Sequence, residues 1–144
     1  MLAIQHKFDI AAASARISDA FVSGYHIKNW WTVDAELIPQ VGAVGKFQWK
    51  PYKWEVKIKL EELKKGEVVR WKCIASNMQD TDAWVGTEMI FIIKALSDHC
   101  ELHFSHKGYL ESPCKVVCTD GWKFVLGTSL KQYLETGIGK PYGK

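Results

Sequence analysis

His106 is the side chain of this sequence best placed for acid–base or hydrogen-bond chemistry. It lies in LHFSHKG, on the strand parity of Leu102 and Phe104 and two residues before Gly108. That parity turns the imidazole toward an apolar interior, where it needs a hydrogen-bond partner. It could serve as a polar handle for a ligand or as a general base. It could equally be a structural histidine satisfied by a neighbouring Thr, Tyr or backbone group, the more usual fate of a lone inward imidazole. His103 sits three residues earlier on the same strand and faces the other side, so the pair cannot chelate one metal.

Catalysis needs a positioned acid–base pair or an activated nucleophile. Strand parity sends Glu55, Glu61, Glu88 and Glu101 outward and leaves no inward carboxylate. There is no GxSxG, and the glycines of GAVG and GIG lack the context of a phosphate loop. Cys73 points inward among apolar neighbours, which raises a thiol pKa and makes it inert. The four cysteines, Cys73, Cys100, Cys114 and Cys118, form no CxxC pair. Cys114 and Cys118 could share a helix face, but no histidine lies in their segment, so reduced thiols are expected, with no metal and no cofactor. No catalytic residue is assigned.

The tryptophans are the other chemical resource. Seven in 144 residues is a high count. They could wall a ligand pocket, with Trp49, Trp71 and Trp122 as its sides, or fill the interior themselves.

The elements that must position these residues follow from periodicity. Gln5–Ile10 reads as a strand. Ala11–Val22 and Tyr25–Trp31 read as two short helical pieces separated by Gly24. Strands follow at Val33–Leu37, Gly45–Lys50, Trp54–Leu63, Glu67–Ala75, Trp84–Leu96 and Glu101–Tyr109. In the clearest, Trp54, Val56, Ile58 and Leu60 alternate with Glu55, Lys57, Lys59 and Glu61, one buried face and one wet. The inward face should carry Phe47, Trp49, Val56, Ile58, Val69, Trp71, Thr87, Met89, Phe91, Leu102, Phe104 and His106. Trp84 is out of phase and belongs at a strand edge or cavity mouth. Ser76–Asp82 is a polar loop, expected to be the most mobile. Short connections imply hairpins and an antiparallel sheet.

In the last stretch, Trp122, Val125, Leu126, Leu130, Tyr133 and Leu134 recur at helical spacing. Gly137 and Gly139 stop the helix, and Pro141 prevents its resumption. Trp122 should be buried where this helix crosses the sheet, with Gly121 permitting close approach. A curved sheet wrapped around one helix leaves room for a hollow.

Bulk properties fit one domain over residues 1–144. No run approaches the 18 apolar residues of a membrane span, and MLAIQHKFDI has no signal pattern, which points to a cytoplasmic protein. The net charge is +3. Of the basic residues only Arg16 and Arg70 are arginines, the type favoured by nucleic-acid readers, and the lysines alternate along strands as a wet face does. Nucleic-acid binding is not expected.

Trp30-Trp31 followed by GAVGKFQW, then VVRWKC, WVGTEMIF, LHFSHKG and GW…LGTSLKQYLETGIGKPY, occur in the order of a known family. The chain resembles, over nearly its whole length, the activator of heat-shock protein 90 ATPase homologue-like family, of the START-related helix-grip (SRPBCC) superfamily. The resemblance implies an α+β helix-grip fold: a β-α-α-β6-α chain, with a seven-stranded antiparallel sheet gripping a long C-terminal helix. It also implies a hollow that holds an apolar small molecule in many superfamily members, and a link to chaperones and the stress response.

The leading expectation is therefore a non-enzymatic carrier or sensor of an apolar small molecule, held by Trp49, Trp71, Phe91, Phe104, His106, Trp122 and Leu126. The mouth should lie by the N-terminal helices, near Tyr25 and Trp30. A module that binds a chaperone or another protein is the second expectation, and a cyclase-like enzyme the third. Titration of the unfolded protein made in a reducing cytosol should find all four thiols free, and stoichiometric zinc in elemental analysis would overturn that expectation.

Overall fold

The computed structural model describes residues 2–109 and 114–141. Its strands are β1 (Leu2–Ile10), β2 (Asp34–Glu36), β3 (Val44–Trp49), β4 (Trp54–Lys64), β5 (Val68–Ser76), β6 (Glu88–Ala95) and β7 (Cys100–Tyr109). They form one seven-stranded antiparallel sheet in the order β1-β7-β6-β5-β4-β3-β2. From β2 to β7 each strand pairs with the next, while β1 returns from the start of the chain to pair with β7. Register shifts between Lys57 and Ile58 and between Leu60 and Glu62 interrupt the β4–β5 ladder. Such irregularities bend and twist a strand, which helps the sheet to curl.

Alternation sets which face is buried. In β4 the residues Trp54, Val56, Ile58 and Leu60 are buried, while Glu55, Lys57 and Lys59 remain on the wet side. All twelve positions expected on the inward face are buried. On the outer face Arg70 Nη1 meets Glu88 Oε2 at 2.8 Å, and Arg70 Nε meets Glu62 Oε1 at 3.5 Å. Two short helices, α1 (Ser14–Asp19) and α2 (Gly24–Ile27), join β1 to β2. They plug one end of the sheet with Ile17, Phe21, Ile27 and Trp30, all fully buried.

The C-terminal helix runs as α3 (Cys114–Phe124), a π-helical segment (Val125–Leu130) and α4 (Lys131–Thr136). It stops at Gly137, whose φ of 90° is the left-handed cap that glycine adopts without steric cost. Among its described side chains, Trp122, Val125, Leu126, Leu130 and Leu134 are the buried apolar ones. The helix also covers the outer edge of β1. Lys131 Nζ donates to Asp9 O, Glu135 Oε2 accepts from Ala11 N at 2.8 Å, and His6 Nε2 lies 3.1 Å from Thr119 O. Covering an edge strand in this way removes a template for pairing with other chains. Among the described residues no helix is long and apolar enough to cross a membrane.

Four expectations need correction. Gly121 does not mediate the close approach, because a Cβ there would meet nothing within 4 Å. The tight contact is at Gly127, where a Cβ would fall 2.6 Å from Phe8 Cε1 on β1. The sixth strand begins at Glu88 rather than Trp84, because the chain turns at Gly86 with a φ of 83°. The helix is not α-helical throughout, since a wider π segment spans the Gly127 contact. The Ser76–Asp82 loop is tied down: Asn77 Oδ1 accepts from Glu55 N at 2.7 Å and Asn77 Nδ2 donates to Lys53 O at 3.0 Å.

Gly127→Ala should destabilise the protein by about 1–3 kcal/mol in denaturant titration, the cost of overpacking a tight contact. Phe8→Leu should recover part of that loss, whereas full stability of Gly127→Ala alone would show that the helix does not press on β1 as described.

Candidate functional site

The inward imidazole of His106 is fully buried and bonded on both sides. Trp122 Nε1 donates to His106 Nδ1 at 2.9 Å. Indole N–H is donor only, so His106 Nδ1 must be unprotonated and the neutral ring carries its proton on Nε2. That Nε2 lies 2.8 Å from Thr87 Oγ1, and Thr87 Oγ1 donates in turn to Trp84 O at 2.6 Å. The protons therefore run one way, from Trp122 through His106 and Thr87 to the Trp84 carbonyl. Burial pushes the His106 pKa down from 6.5 to about 3. A protonated ring would also turn a second N–H against that of Trp122.

Around this relay the aromatic side chains pack edge and face. Trp31 contacts Trp30, Phe47, Trp49, Trp71, Trp84 and Trp122. Trp84 and Trp122 stack with ring centres 5.6 Å apart and planes 12° apart. The rings do not fill the whole interior. A cleft of about 310 Å³ remains, with the Met78–Trp84 segment on one side and Asp120–Val125 of the C-terminal helix on the other. Trp31, Trp49, Trp84 and Trp122 form most of its wall, with Met78 and Val125 between them. Gln79 and Asp120 bring polar groups to it. Its volume lies at the lower end of the roughly 300–1,000 Å³ typical of small-molecule sites.

Of the side chains that the sequence offers as ligand contacts, Trp49 and Trp122 line this cleft. Trp71, Phe91, Phe104, His106 and Leu126 are buried and do not line it. Phe104 packs 4.6 Å from Trp122, Phe91 packs 4.9 Å from Trp71, and Trp71 Nε1 donates to Phe21 O at 3.1 Å. Trp84 is buried and lines the cleft. The mouth is not beside Tyr25 and Trp30. Trp30 is sealed, with its Nε1 donating to Ala20 O at 3.0 Å, and Tyr25 is 66% exposed on the outside of the plug. Sequence reasoning missed Trp31, Met78, Gln79 and Asp120. The Trp30-Trp31 pair was a signal, but a short helical segment does not reveal which ring turns toward the helix. Asp120 brings a carboxylate to the cleft from the helix, outside the strand parity that excluded one.

The remaining chemistry is sparse. Cys73 is buried, and burial pushes its thiol up to about 12. Cys100 is also buried and free, while the side chains of Cys114 and Cys118 lie outside the described residues. Among the described residues no three His, Cys, Asp or Glu side chains are grouped as metal ligands.

The His106 burial has a pH signature. Between pH 6.5 and about 3 the unfolded chain binds a proton here that the folded chain does not. Stability should therefore fall as pH drops through that window, by up to about 1.4 kcal/mol per pH unit from this residue. Above pH 6.5 the residue adds no pH dependence. His106→Gln should flatten the pH 6 to 4 limb of a denaturant-midpoint profile, and an unchanged slope would show that His106 protonates freely in the fold.

No curated protein matches the chain. The solution structure of the Aha1 dimer from Colwellia psychrerythraea is 29% identical, with a TM-score of 0.84, covering 96% of this chain and all of that one. SSP2350 from Staphylococcus saprophyticus, 17% identical, superposes with a TM-score of 0.75 over 96% of both chains. DynU16, from the dynemicin biosynthetic locus, is 14% identical with a TM-score of 0.76, covering 98% of this chain and 50% of its own. The latter two likenesses establish the fold alone. Residues 11–135 match the family described as activator of Hsp90 ATPase homolog 1-like protein, and the chain belongs to that family.

Proposed function

We propose that this protein is a single-domain, cytoplasmic, non-enzymatic binder of an apolar small molecule, acting as a carrier or sensor. The observation that carries the reading is the cleft itself. It is walled mainly by indoles and backed by a packed aromatic layer that holds those indoles in place. Pockets of that kind bind by burying apolar ligand surface, with a few polar groups setting orientation. The ligand contacts proposed are Trp49 and Trp122 together with Trp31, Trp84 and Met78. Trp71, Phe91, Phe104, His106 and Leu126 support that wall from behind. A cyclase-like activity would need a positioned acid–base pair, and the described lining offers one carboxylate, Asp120.

A second reading, as a module for binding a chaperone or another protein, draws on two observations. Ile38, Val41 and Val44 are exposed together around the β2–β3 connection, and the Colwellia structure is of a dimer.

Titration with N-phenyl-1-naphthylamine, a neutral apolar fluorophore, tests the first reading. Saturable one-to-one enhancement is expected. Gly121 lines the cleft and faces open space, so Gly121→Leu should occupy part of it without crowding the fold. That variant should weaken the probe about tenfold or more, the equivalent of about 1.4 kcal/mol. No saturable binding, or binding untouched by Gly121→Leu, would remove the cleft as the site and put the protein-interaction reading first.

A further inference from the structure

Four of the seven tryptophans hold their N–H groups in hydrogen bonds. Trp30 Nε1 donates to Ala20 O, Trp71 Nε1 to Phe21 O, Trp54 Nε1 to Asp80 Oδ1 and Trp122 Nε1 to His106 Nδ1. Trp49 differs from them. Its Nε1 is buried, without a hydrogen-bond partner, and its residue lines the cleft. A buried unpaired donor is uncommon in folded proteins and calls for an explanation. Its ring meets Trp31 edge to face, with centres 4.9 Å apart and planes at 72°, and the π face of an indole is a weaker acceptor than a carbonyl.

The charge of the lining narrows what could supply the acceptor. Among the described lining residues Asp120 is the one ionisable group, and it is exposed. No Lys, Arg or His stands among them to neutralise an anion. A carboxylate ligand would bring its charge beside Asp120, in an apolar site that offers it no counter-ion. A neutral carbonyl oxygen carries no such cost. The wall favours a flat ring system, because large indole surfaces stack best on other π surfaces.

From these observations we propose that the cleft selects neutral, flat aromatic molecules that carry a carbonyl acceptor, and that Trp49 Nε1–H is the donor that reads it. The proposal rests on the small-molecule reading above and names the ligand class for that same site. The N–H is closed to water, so the acceptor reaches it when the cleft widens. The backbone of the Met78–Trp84 wall is tied to the sheet at Asn77 and Asp80, so the widening is one of side chains, Met78 first. Met78 is an unbranched, adaptable side chain.

Three matched probes test this by calorimetric titration: 9-fluorenone, fluorene without the carbonyl, and fluorene-9-carboxylate. Fluorenone should bind about tenfold more tightly than fluorene, the discrimination of one good hydrogen bond that would otherwise be lost. Fluorene-9-carboxylate should bind more weakly than fluorenone, and Asp120→Asn should narrow that gap. Trp49→Phe should bring the fluorenone-to-fluorene affinity ratio close to one, with its circular dichroism and melting checked against the parent. A measurement on the parent alone guards against misfolding of that variant: the assigned Trp49 indole N–H resonance should move downfield with fluorenone and not with fluorene. Equal affinities for fluorenone and fluorene in the parent, or a ratio that survives Trp49→Phe, would overturn the role of Trp49 while leaving the binding site intact. A carboxylate probe that binds as tightly as fluorenone would overturn the selection for neutral ligands. Failure of all three probes to bind saturably would overturn the small-molecule reading itself.

Discussion

Trp122 can only donate, and the atom it donates to is the unprotonated Nδ1 of a fully buried histidine. That constraint orders much of the rest. It fixes the tautomer of His106, which fixes the direction of the bond to Thr87 and leaves the Thr87 hydroxyl to donate to the Trp84 carbonyl. One relay thus joins the C-terminal helix, β7, the residue preceding β6 and the loop before it. Trp84 and Trp122, which both line the cleft, are the two ends of this relay and stack on each other at 5.6 Å. Loss of any member strands another polar group in the interior, at about 1–3 kcal/mol for a buried unsatisfied donor or acceptor. The geometry of the cleft is therefore set by hydrogen bonding, although its surface is mostly apolar.

The other indoles extend the same logic to the ends of the sheet. Trp30, from the turn after α2, and Trp71, from β5, reach the carbonyls of Ala20 and Phe21, just beyond α1. Phe21 in turn stacks on Phe91 with centres 4.0 Å apart. A helix as short as α1 has little stability of its own. Here it is held by side chains from elsewhere, which bind its final carbonyls while their rings fill the core. Trp54 does the same for the Met78–Asp80 turn through Asp80. Each such ring contributes buried apolar area and also ties one piece of irregular backbone to the sheet.

This division explains what could be seen in the sequence. Period-two alternation identifies a strand and its inward face directly, and it does so from Phe47 to His106, because a half-buried strand must separate apolar from polar residues. Helical spacing identifies Trp122, Leu126, Leu130 and Leu134 for the same reason. Contacts between elements leave no such trace. Nothing in the spacing of Gly121 and Gly127 says which of the two meets β1, since that depends on the rotation of the helix against Phe8. The inward parity of His106 is legible, yet its partner Trp122 comes from the helix and Thr87 from the residue just before β6. The cleft was legible as an aromatic hollow. Its position was not, because it depends on how α1 and α2 plug one end and on the turn at Gly86 that carries Trp84 back over the helix.

The pairing of the first strand with the last has a consequence for how the chain is made. Ile10 pairs with Cys100 and Phe8 with Leu102, so β1 leaves the ribosome long before its ladder partner β7 exists. At synthesis rates of roughly 5–20 residues per second, the wait is on the order of 5–20 s. The helix that covers the apolar face of the sheet emerges later still. Until then β2 to β6 can pair as a meander of local hairpins, but their inward row from Phe47 to Phe91 has nothing to pack against. Contacts so distant in sequence also slow folding once the chain is complete, because loop closure is paid before the distant pairing returns any energy. The molecule therefore passes through a nascent stage in which its most aromatic surface is open and its edge strand unmatched, the condition in which a growing chain is most prone to aggregate.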